Sequence, residues 1–120
     1  MVEQGELMKT HSKSRMNRRD KRILGQFATL VRQHFPEARI WAFGSRVNGS
    51  ATEESDLDIC VVVHAKDETI KRHIRDVSWQ VGFDHDRLIS TIIYSDEEFE
   101  RGPCLFSPIV KTILREGVAA

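Results

Sequence analysis

Two aspartates separated by one residue, Asp56 and Asp58, are the side chains in this sequence best suited to chemistry. They open a segment that continues into the apolar run at residues 59–63, which predicts a strand over residues 56–63. Alternate side chains of a strand point to one face, with Cα atoms roughly 6–7 Å apart. Two carboxylates at that separation can bind Mg²⁺ together with water and phosphate oxygens. The pair therefore predicts a metal site in which both aspartates are catalytic.

The dipeptide Gly44-Ser45 is the second chemical signal, because it follows a predicted strand at residues 39–43. Glycine lets the backbone approach a phosphate closely, and a following helical turn would present N–H groups to an anion. Ser45 can donate a hydrogen bond to a phosphate oxygen, and Arg46 could offset some of the phosphate charge. These features predict a nucleotide-binding turn.

Each signal has a structural alternative when it is judged alone. Asp56 and Asp58 could simply face water at the start of a strand or pair with Arg46, and Gly-Ser occurs in many strand-to-helix turns. Together, a phosphate-binding turn and metal-binding acids on adjacent strand ends are the two halves of a nucleotidyl-transfer site. The combination favours the functional interpretation.

The elements that must position these residues follow the order α-β-β-α-β-α. Apolar residues at helical spacing predict amphipathic helices over residues 17–35 and 66–81. A third strand is predicted over residues 88–94, and Ser95 is predicted as the N-cap of a helix that starts with acidic residues. A closing helix starts at Pro108 and ends at Gly117. This order predicts a single α/β (α+β) domain over residues 17–120, with a mixed β-sheet packed by helices.

Composition limits the class of protein. The chain has 120 residues, of which 40% are hydrophobic, and its formal net charge is zero. No stretch approaches the roughly 18 apolar residues of a membrane span, and the N-terminus lacks the apolar core of a signal peptide, so a cytoplasmic protein is expected. Cys60 and Cys104 match neither a metal spacing nor a disulfide framework, and Cys60 is predicted to be a small buried hydrophobe.

Positive charge is concentrated near the N-terminus. Residues 1–16 show no periodicity and are predicted to form a mobile basic arm, which is most simply solvated. Binding to RNA or to an acidic partner is the alternative, although no nucleic-acid motif accompanies the charge. The basic residues of this region are Lys9, Lys13, Arg15, Arg18, Arg19, Lys21 and Arg22.

Gly44-Ser45, ten intervening residues and then Asp56-Leu57-Asp58 resemble the signature of the DNA polymerase β-like nucleotidyltransferase superfamily. Within it, the short chain is similar to the minimal nucleotidyltransferases, many of which are antitoxins encoded beside HEPN-domain toxins. The resemblance covers roughly residues 20–118 and implies the same mixed-sheet fold. It also implies that Gly44 and Ser45 bind triphosphate and that the two aspartates bind Mg²⁺. Ser55, like Gly49, falls where the family favours a small or polar residue, and Ser55 joins the predicted nucleotide-binding residues.

The sequence departs from that family at a third carboxylate, which the resemblance places on the strand after the second long helix. Ser90 occupies this position by register. Asp86 lies four residues earlier and would share the face of Ser90 if the strand extended that far, so it is a candidate catalytic residue; otherwise it is a turn residue. Because the third acid serves as general base in the family, its absence affects catalysis more than nucleotide binding.

These observations predict a Mg²⁺-dependent transfer of AMP from ATP to a hydroxyl group. The resemblance implies a protein acceptor, namely a HEPN-type toxin. The alternative is a catalytically weak module that binds a nucleotide or regulates a partner by contact. A phospho-acceptor signalling domain ranks last, because two predicted strands follow each other with only a polar loop between them.

Overall fold

The computed structural model describes residues 15–120. Three of the helices are long enough to build the core, while the others are single turns. The helices are α1 (Arg18–Arg32), α2 (Ser45–Asn48), α3 (Glu68–His85), α4 (Asp96–Glu100), a 3₁₀ helix (Pro103–Phe106) and α5 (Pro108–Glu116). The strands are β1 (Arg39–Phe43), β2 (Leu57–Val63), β3 (Ile89–Ser95) and β4 (Val118–Ala119).

The four strands form one mixed sheet in the order β3-β2-β1-β4. Strand β1 pairs antiparallel with β2 and with β4, whereas β2 and β3 are parallel and are connected through α3. Parallel neighbours need such a crossover, because a tight hairpin can only reverse the chain. The predicted α/β domain with a mixed sheet packed by helices is confirmed.

Both faces of β2 are covered, as its continuous apolar run predicts. Leu57, Ile59 and Val61 belong to the core cluster that contains the buried faces of α1 and α3. Cys60 and Val62 point to the opposite face, where they belong to a second cluster with residues of α4 and α5. The sheet is therefore the middle layer of the domain, and β2 is its most buried strand.

Element boundaries differ from the predicted ones by a few residues. Helix α1 has Asn17 as its N-cap and ends at Arg32, three residues before the predicted end, while α3 extends to His85 rather than to residue 81. Strand β2 starts at Leu57, so Asp56 precedes it. The 3₁₀ helix and β4 are not predicted from the sequence. Strand β4 has only two residues and exists through its pairing with β1, so it leaves no periodic signal.

The ordered domain includes two residues of the predicted N-terminal arm. The Arg15 N–H donates to the Val47 carbonyl at 2.9 Å, and Met16 is 5% exposed within the core. The predicted arm at residues 1–16 therefore overlaps the folded domain by these two residues, and residues 1–14 lie outside the described part. Across residues 15–120, no helix is long and apolar enough to span a membrane.

Cys60 should resist alkylation in the folded protein. Burial raises the pKa of its thiol to about 12, and the thiolate is the reactive form. We expect iodoacetamide at about pH 8, near the reference pKa of a free thiol, to modify the partly exposed Cys104 first and to leave Cys60 unmodified. Peptide mass spectrometry measures both sites, and a sample denatured before alkylation is the control in which both react. Equal native reactivity would contradict the buried position of Cys60.

Candidate functional site

Gly44 and Asp58 approach each other closely in the candidate site. Asp58 lies opposite Phe43 in the register of β1 and β2, so the turn that follows Phe43 reaches the Asp58 carboxylate. Gly44 has φ +86°, and a Cβ placed on it would collide with Asp58 Oδ2. Glycine is required here both for its backbone conformation and for the space that the carboxylate occupies. The structure thus brings the predicted phosphate-binding turn and one predicted metal ligand into direct contact.

Gly44→Ala should therefore damage the site and the fold together. The positive φ and the collision with Asp58 should lower the free energy of unfolding by about 1–3 kcal/mol, the usual scale of local backbone strain, and displace the carboxylate. Chemical denaturation measures the loss. Gly25→Ala is the matched control, since Gly25 lies within α1 with nothing within 4 Å of an added Cβ. We expect that control to be neutral or stabilising by up to about 1 kcal/mol.

Asp56 and Asp58 form the acidic part of the site, and both are half-buried. Burial and the nearby charge of Asp56 raise the pKa of the Asp58 carboxyl. A divalent cation between the two would relieve this repulsion, and carboxylate oxygens are the donors that Mg²⁺ prefers. The described residues contain no group of three or more metal-ligating side chains, so the other ligands of such an ion would be water or phosphate oxygens. The pair fits the predicted Mg²⁺ site in chemistry.

Ser45 begins α2, as expected for a helical turn after the Gly-Ser dipeptide. The Gly44 carbonyl accepts from the N–H groups of Val47 and Asn48 at 3.0 Å each, which fixes the turn. The first N–H groups of a helix have no acceptor within it, so those of Ser45 and Arg46 remain for an anion. Phosphate binding by Gly44 and Ser45 stays a prediction, now with the expected local geometry.

Arg46 has contacts that differ from the predicted ones. Its side chain is only 5% exposed, and Nη1 forms an ion pair with Asp20 Oδ2 at 3.2 Å. Nε donates to the Ser55 carbonyl at 2.9 Å, and Nη2 donates to the carbonyls of Thr52 and Glu53 at 2.9 and 3.1 Å. These bonds hold the loop that leads into Asp56. We therefore reassign Arg46 from nucleotide binding to positioning, because its buried guanidinium is already engaged.

Asp20 is the centre of a buried ion-pair triad that the sequence-based prediction missed. Its side chain is 1% exposed, and Oδ1 accepts from Arg87 at 3.1 Å while Oδ2 accepts from Arg46. The triad connects α1, α2 and the segment between α3 and β3. A signal was present, because Asp20 lies three and four residues before the buried Ile23 and Leu24 and so continues the apolar face of α1. An acid on such a face is expected to have a buried partner.

Ser55 also has a local role. Its Oγ accepts from the Thr52 N–H at 2.9 Å and lies 3.4 Å from Thr52 Oγ1, so it closes the turn before Asp56. The predicted contact between Ser55 and a nucleotide would compete with these bonds. We therefore assign Ser55 to the shape of the loop, which agrees with the small or polar residue that the family resemblance implies there.

Ser90 and Asp86 have different positions relative to Asp58. Ser90 lies directly opposite Asp58 in the register of β2 and β3, so their side chains share a face of the sheet. Asp86 is the C-cap of α3 with φ +52°, and β3 starts only at Ile89. The condition on which Asp86 could replace the third acid, a strand that reaches residue 86, is not met. Asp86 instead lines a separate cavity of about 540 Å³ with Trp79 and Phe83.

Comparison with known proteins gives a family and a fold. A family model described as a nucleotidyltransferase domain matches residues 24–119. The crystal structure of the toxin-antitoxin pair MntA-HepT contains a chain that matches with a TM-score of 0.50 and 15% identity, over 82% of this chain and 69% of that one. At this identity the likeness concerns the fold alone.

Two curated proteins match over shorter segments. "Probable protein adenylyltransferase MntA" of Haemophilus influenzae (strain ATCC 51907 / DSM 11121 / KW20 / Rd) is 47% identical over 34 residues, which are 28% of this chain and 30% of that protein. Poly(A) RNA polymerase GLD2 of Xenopus tropicalis is 42% identical over 43 residues, which are 36% of this chain and 8% of that protein. The matches thus span less than a third of either relative. With the family model covering most of its length, the chain belongs to the nucleotidyltransferase domain family, as its motif predicts.

Proposed function

We propose that this chain transfers AMP from ATP to a hydroxyl group of a protein partner, with Mg²⁺ bound by Asp56 and Asp58. The observation that carries the proposal is the close approach of Gly44 and Asp58, because it joins the turn predicted to bind phosphate to a carboxylate predicted to bind metal. The names of two similar proteins, a protein adenylyltransferase and a toxin-antitoxin pair, support the reaction and the kind of partner. The family resemblance of the sequence further implies that the acceptor is a HEPN-type toxin.

The residues of this site act mainly by positioning. Ser45 and the first N–H groups of α2 bind phosphate oxygens of the triphosphate, while the turn at Gly44 keeps the chain close to Asp58. Mg²⁺, when bound, neutralises the triphosphate and stabilises the charge that develops as pyrophosphate leaves. The Arg46 bonds to the loop at residues 52–55 hold the backbone that delivers Asp56. The acceptor oxygen then bonds to the α-phosphorus as the bond to the β-phosphate breaks, pyrophosphate leaves, and the hydroxyl proton passes to water.

Isotopic labelling tests the proposal directly. The protein is incubated with Mg²⁺ and a candidate partner encoded by the adjacent gene, in parallel with ATP labelled at the α-phosphate and at the γ-phosphate. AMP transfer predicts label on the partner from the α-phosphate only. Label from the γ-phosphate would indicate phosphorylation instead, and the absence of label from both would refute transfer to that partner.

Regulation of a partner by binding alone, without nucleotide transfer, is a second candidate function that two observations favour. Ser90 stands beside Asp58 where the family resemblance places a general base. Trp79, Phe83 and Leu88 are 67%, 86% and 62% exposed, and such an apolar surface is typical of a binding face. Suppose that the partner receives no label in the isotope experiment and yet is bound and inhibited by this chain without any nucleotide. That result would replace the transfer reaction with this second function.

Ser90→Asp should increase transfer if the missing base limits it. The register places this side chain next to Asp58, where a carboxylate could accept the proton of the acceptor hydroxyl. We expect a gain of about tenfold, below the 10²–10⁴-fold typical of general base catalysis, because a grafted base is not optimally oriented. Thr91→Asp, one residue along the strand and on the other face, is the control, and an equal gain there would refute the assignment of position 90.

A further inference from the structure

A cavity of about 250 Å³ lies beside α2, between the start of α1 and the loop that follows α2. Its lining includes Ser45, the predicted phosphate ligand, and Arg15, a residue of the predicted N-terminal arm. Arg46, Asp20 and Glu53 also line it. Ser45 relates this cavity to the candidate site, because it directly follows Gly44, which lies against Asp58.

Arg15 is held at this cavity by its backbone and by its aliphatic stem. Its N–H donates to the Val47 carbonyl at 2.9 Å, and the next residue, Met16, belongs to the core. A Cβ built on Gly49 would lie 3.1 Å from Arg15 Cβ and 3.3 Å from Arg15 Cγ, so the stem packs on the glycine backbone. Gly49 has φ +91°, and glycine there serves both the end of α2 and the approach of Arg15.

The Arg15 guanidinium is a charge at this cavity that no described side chain pairs. The lining contains two arginines, Arg15 and Arg46, and two acids, Asp20 and Glu53. Asp20 is already engaged, because Arg46 and Arg87 share its carboxylate. Within residues 15–120, the Arg15 guanidinium forms no hydrogen bond or ion pair, whereas the remaining acid of the lining, Glu53, is exposed. An unpaired guanidinium that shares a cavity with a serine hydroxyl is suited to binding an anion.

We propose that Arg15 binds the terminal phosphates of the nucleoside triphosphate, in the cavity that it shares with Ser45. The inference rests on the proposed function and extends it from the motif to the chain segment before α1. A triphosphate with its α-phosphate near Asp58 would run along Gly44-Ser45 and place its β- and γ-phosphates toward Arg15. A guanidinium is suited to this position, because its planar N–H groups can bind two phosphate oxygens at once. Arg15 thereby selects a triphosphate over shorter nucleotides.

Calorimetric titration of the full chain with ATP, ADP and AMP, each with Mg²⁺, tests the inference without requiring catalysis. For Arg15→Ala we expect the Kd for ATP to rise about 10- to 100-fold, the range for a lost hydrogen bond to a charged group. The Kd for AMP should stay within about twofold, as for a screened distant charge. Arg18→Ala is the matched control, since it removes an equally exposed positive charge that does not line the cavity. Arg15→Lys should restore only part of the affinity.

The titration distinguishes a wrong role for Arg15 from a wrong proposed function. If wild-type protein binds ATP but Arg15→Ala weakens binding no more than Arg18→Ala does, Arg15 has no role in binding and the proposed function stands. Equal weakening for ATP and AMP would show that Arg15 does not contact the terminal phosphates. If wild-type protein binds no nucleotide in the presence of Mg²⁺, the proposed function itself is refuted. Thermal unfolding of each variant shows that its fold is retained.

Discussion

Asp58→Asn should strongly reduce nucleotidyl transfer and, at neutral pH, stabilise the free protein. Loss of one of the two carboxylates that are proposed to bind Mg²⁺ should lower the rate by about a thousandfold, the scale found when a key electrostatic group is removed. Asparagine keeps the shape of the side chain, so the contact with Gly44 persists. The variant therefore separates the chemical role of Asp58 from its place in the fold.

The sign of the stability change follows from the pKa of Asp58. Burial and the charge of Asp56 raise this pKa in the folded protein, so the charged carboxylate destabilises the native state. The neutral Asp58 carboxyl favours the folded state. Its contribution to the free energy of unfolding is fully present below the unfolded pKa and is lost as the pH rises through the folded pKa. Asparagine never acquires the charge, so the variant should be the more stable protein at neutral pH. The difference should disappear as the pH falls to the region where Asp58 is protonated.

Paired unfolding curves and transfer assays check both halves of this prediction. Mg²⁺ should raise the melting temperature of the wild-type protein and have a smaller effect on Asp58→Asn, because one ligand is missing. Asp76→Asn is the control, since Asp76 is exposed on α3 and should change neither transfer nor the response to Mg²⁺. Full activity in Asp58→Asn, or in the double variant with Asp56→Asn, would overturn the assignment of the metal site.

Asp20→Ala should cause the largest loss of stability among single changes outside the apolar core. Removing this carboxylate leaves the guanidiniums of Arg46 and Arg87 buried, at 5% and 8% exposure, without their common counter-charge. Breaking a buried ion pair from one side costs about 3–5 kcal/mol. The loop at residues 52–55 should also lose order, because Arg46 binds three of its carbonyls.

Denaturant unfolding of Asp20→Ala measures the first effect, and transfer or nucleotide binding under native conditions measures the second. Asp76→Ala is the matched control and should lie within about 0.5 kcal/mol of wild type, as for other surface substitutions. The free energy of unfolding of Asp20→Asn should lie between those of Asp20→Ala and Asp76→Ala, because the amide oxygen can accept one guanidinium hydrogen bond without supplying charge. If Asp20→Ala were as stable as its control, the triad would not be a scaffold of the site.

The amino-acid sequence alone determined the main helices and strands and the motif residues of the candidate site. The apolar periodicity of α1 and α3 and the continuous run in β2 report local burial, which depends on spacings of a few residues. Ser95 is an N-cap in a capping box, as the acidic residues after it indicate. Gly44-Ser45 and Asp56-x-Asp58 are also short-range patterns, so the predicted turn and acids could be recognised without knowing the tertiary structure.

Only the tertiary structure decided which charged groups lie at the candidate site and which hold the fold. Arg46 was expected to face a phosphate, yet it is buried against Asp20, and Asp20 is paired with Arg87, which is 67 residues away in the chain. Strand β3 begins only at Ile89, so Asp86 does not lie on the strand beside Asp58. The register of β2 and β3 instead places Ser90 opposite Asp58. A guanidinium or a carboxylate can be solvated, paired or bound to a ligand with the same local sequence. The choice depends on desolvation and on partners from distant segments, and these exist only after the chain has folded.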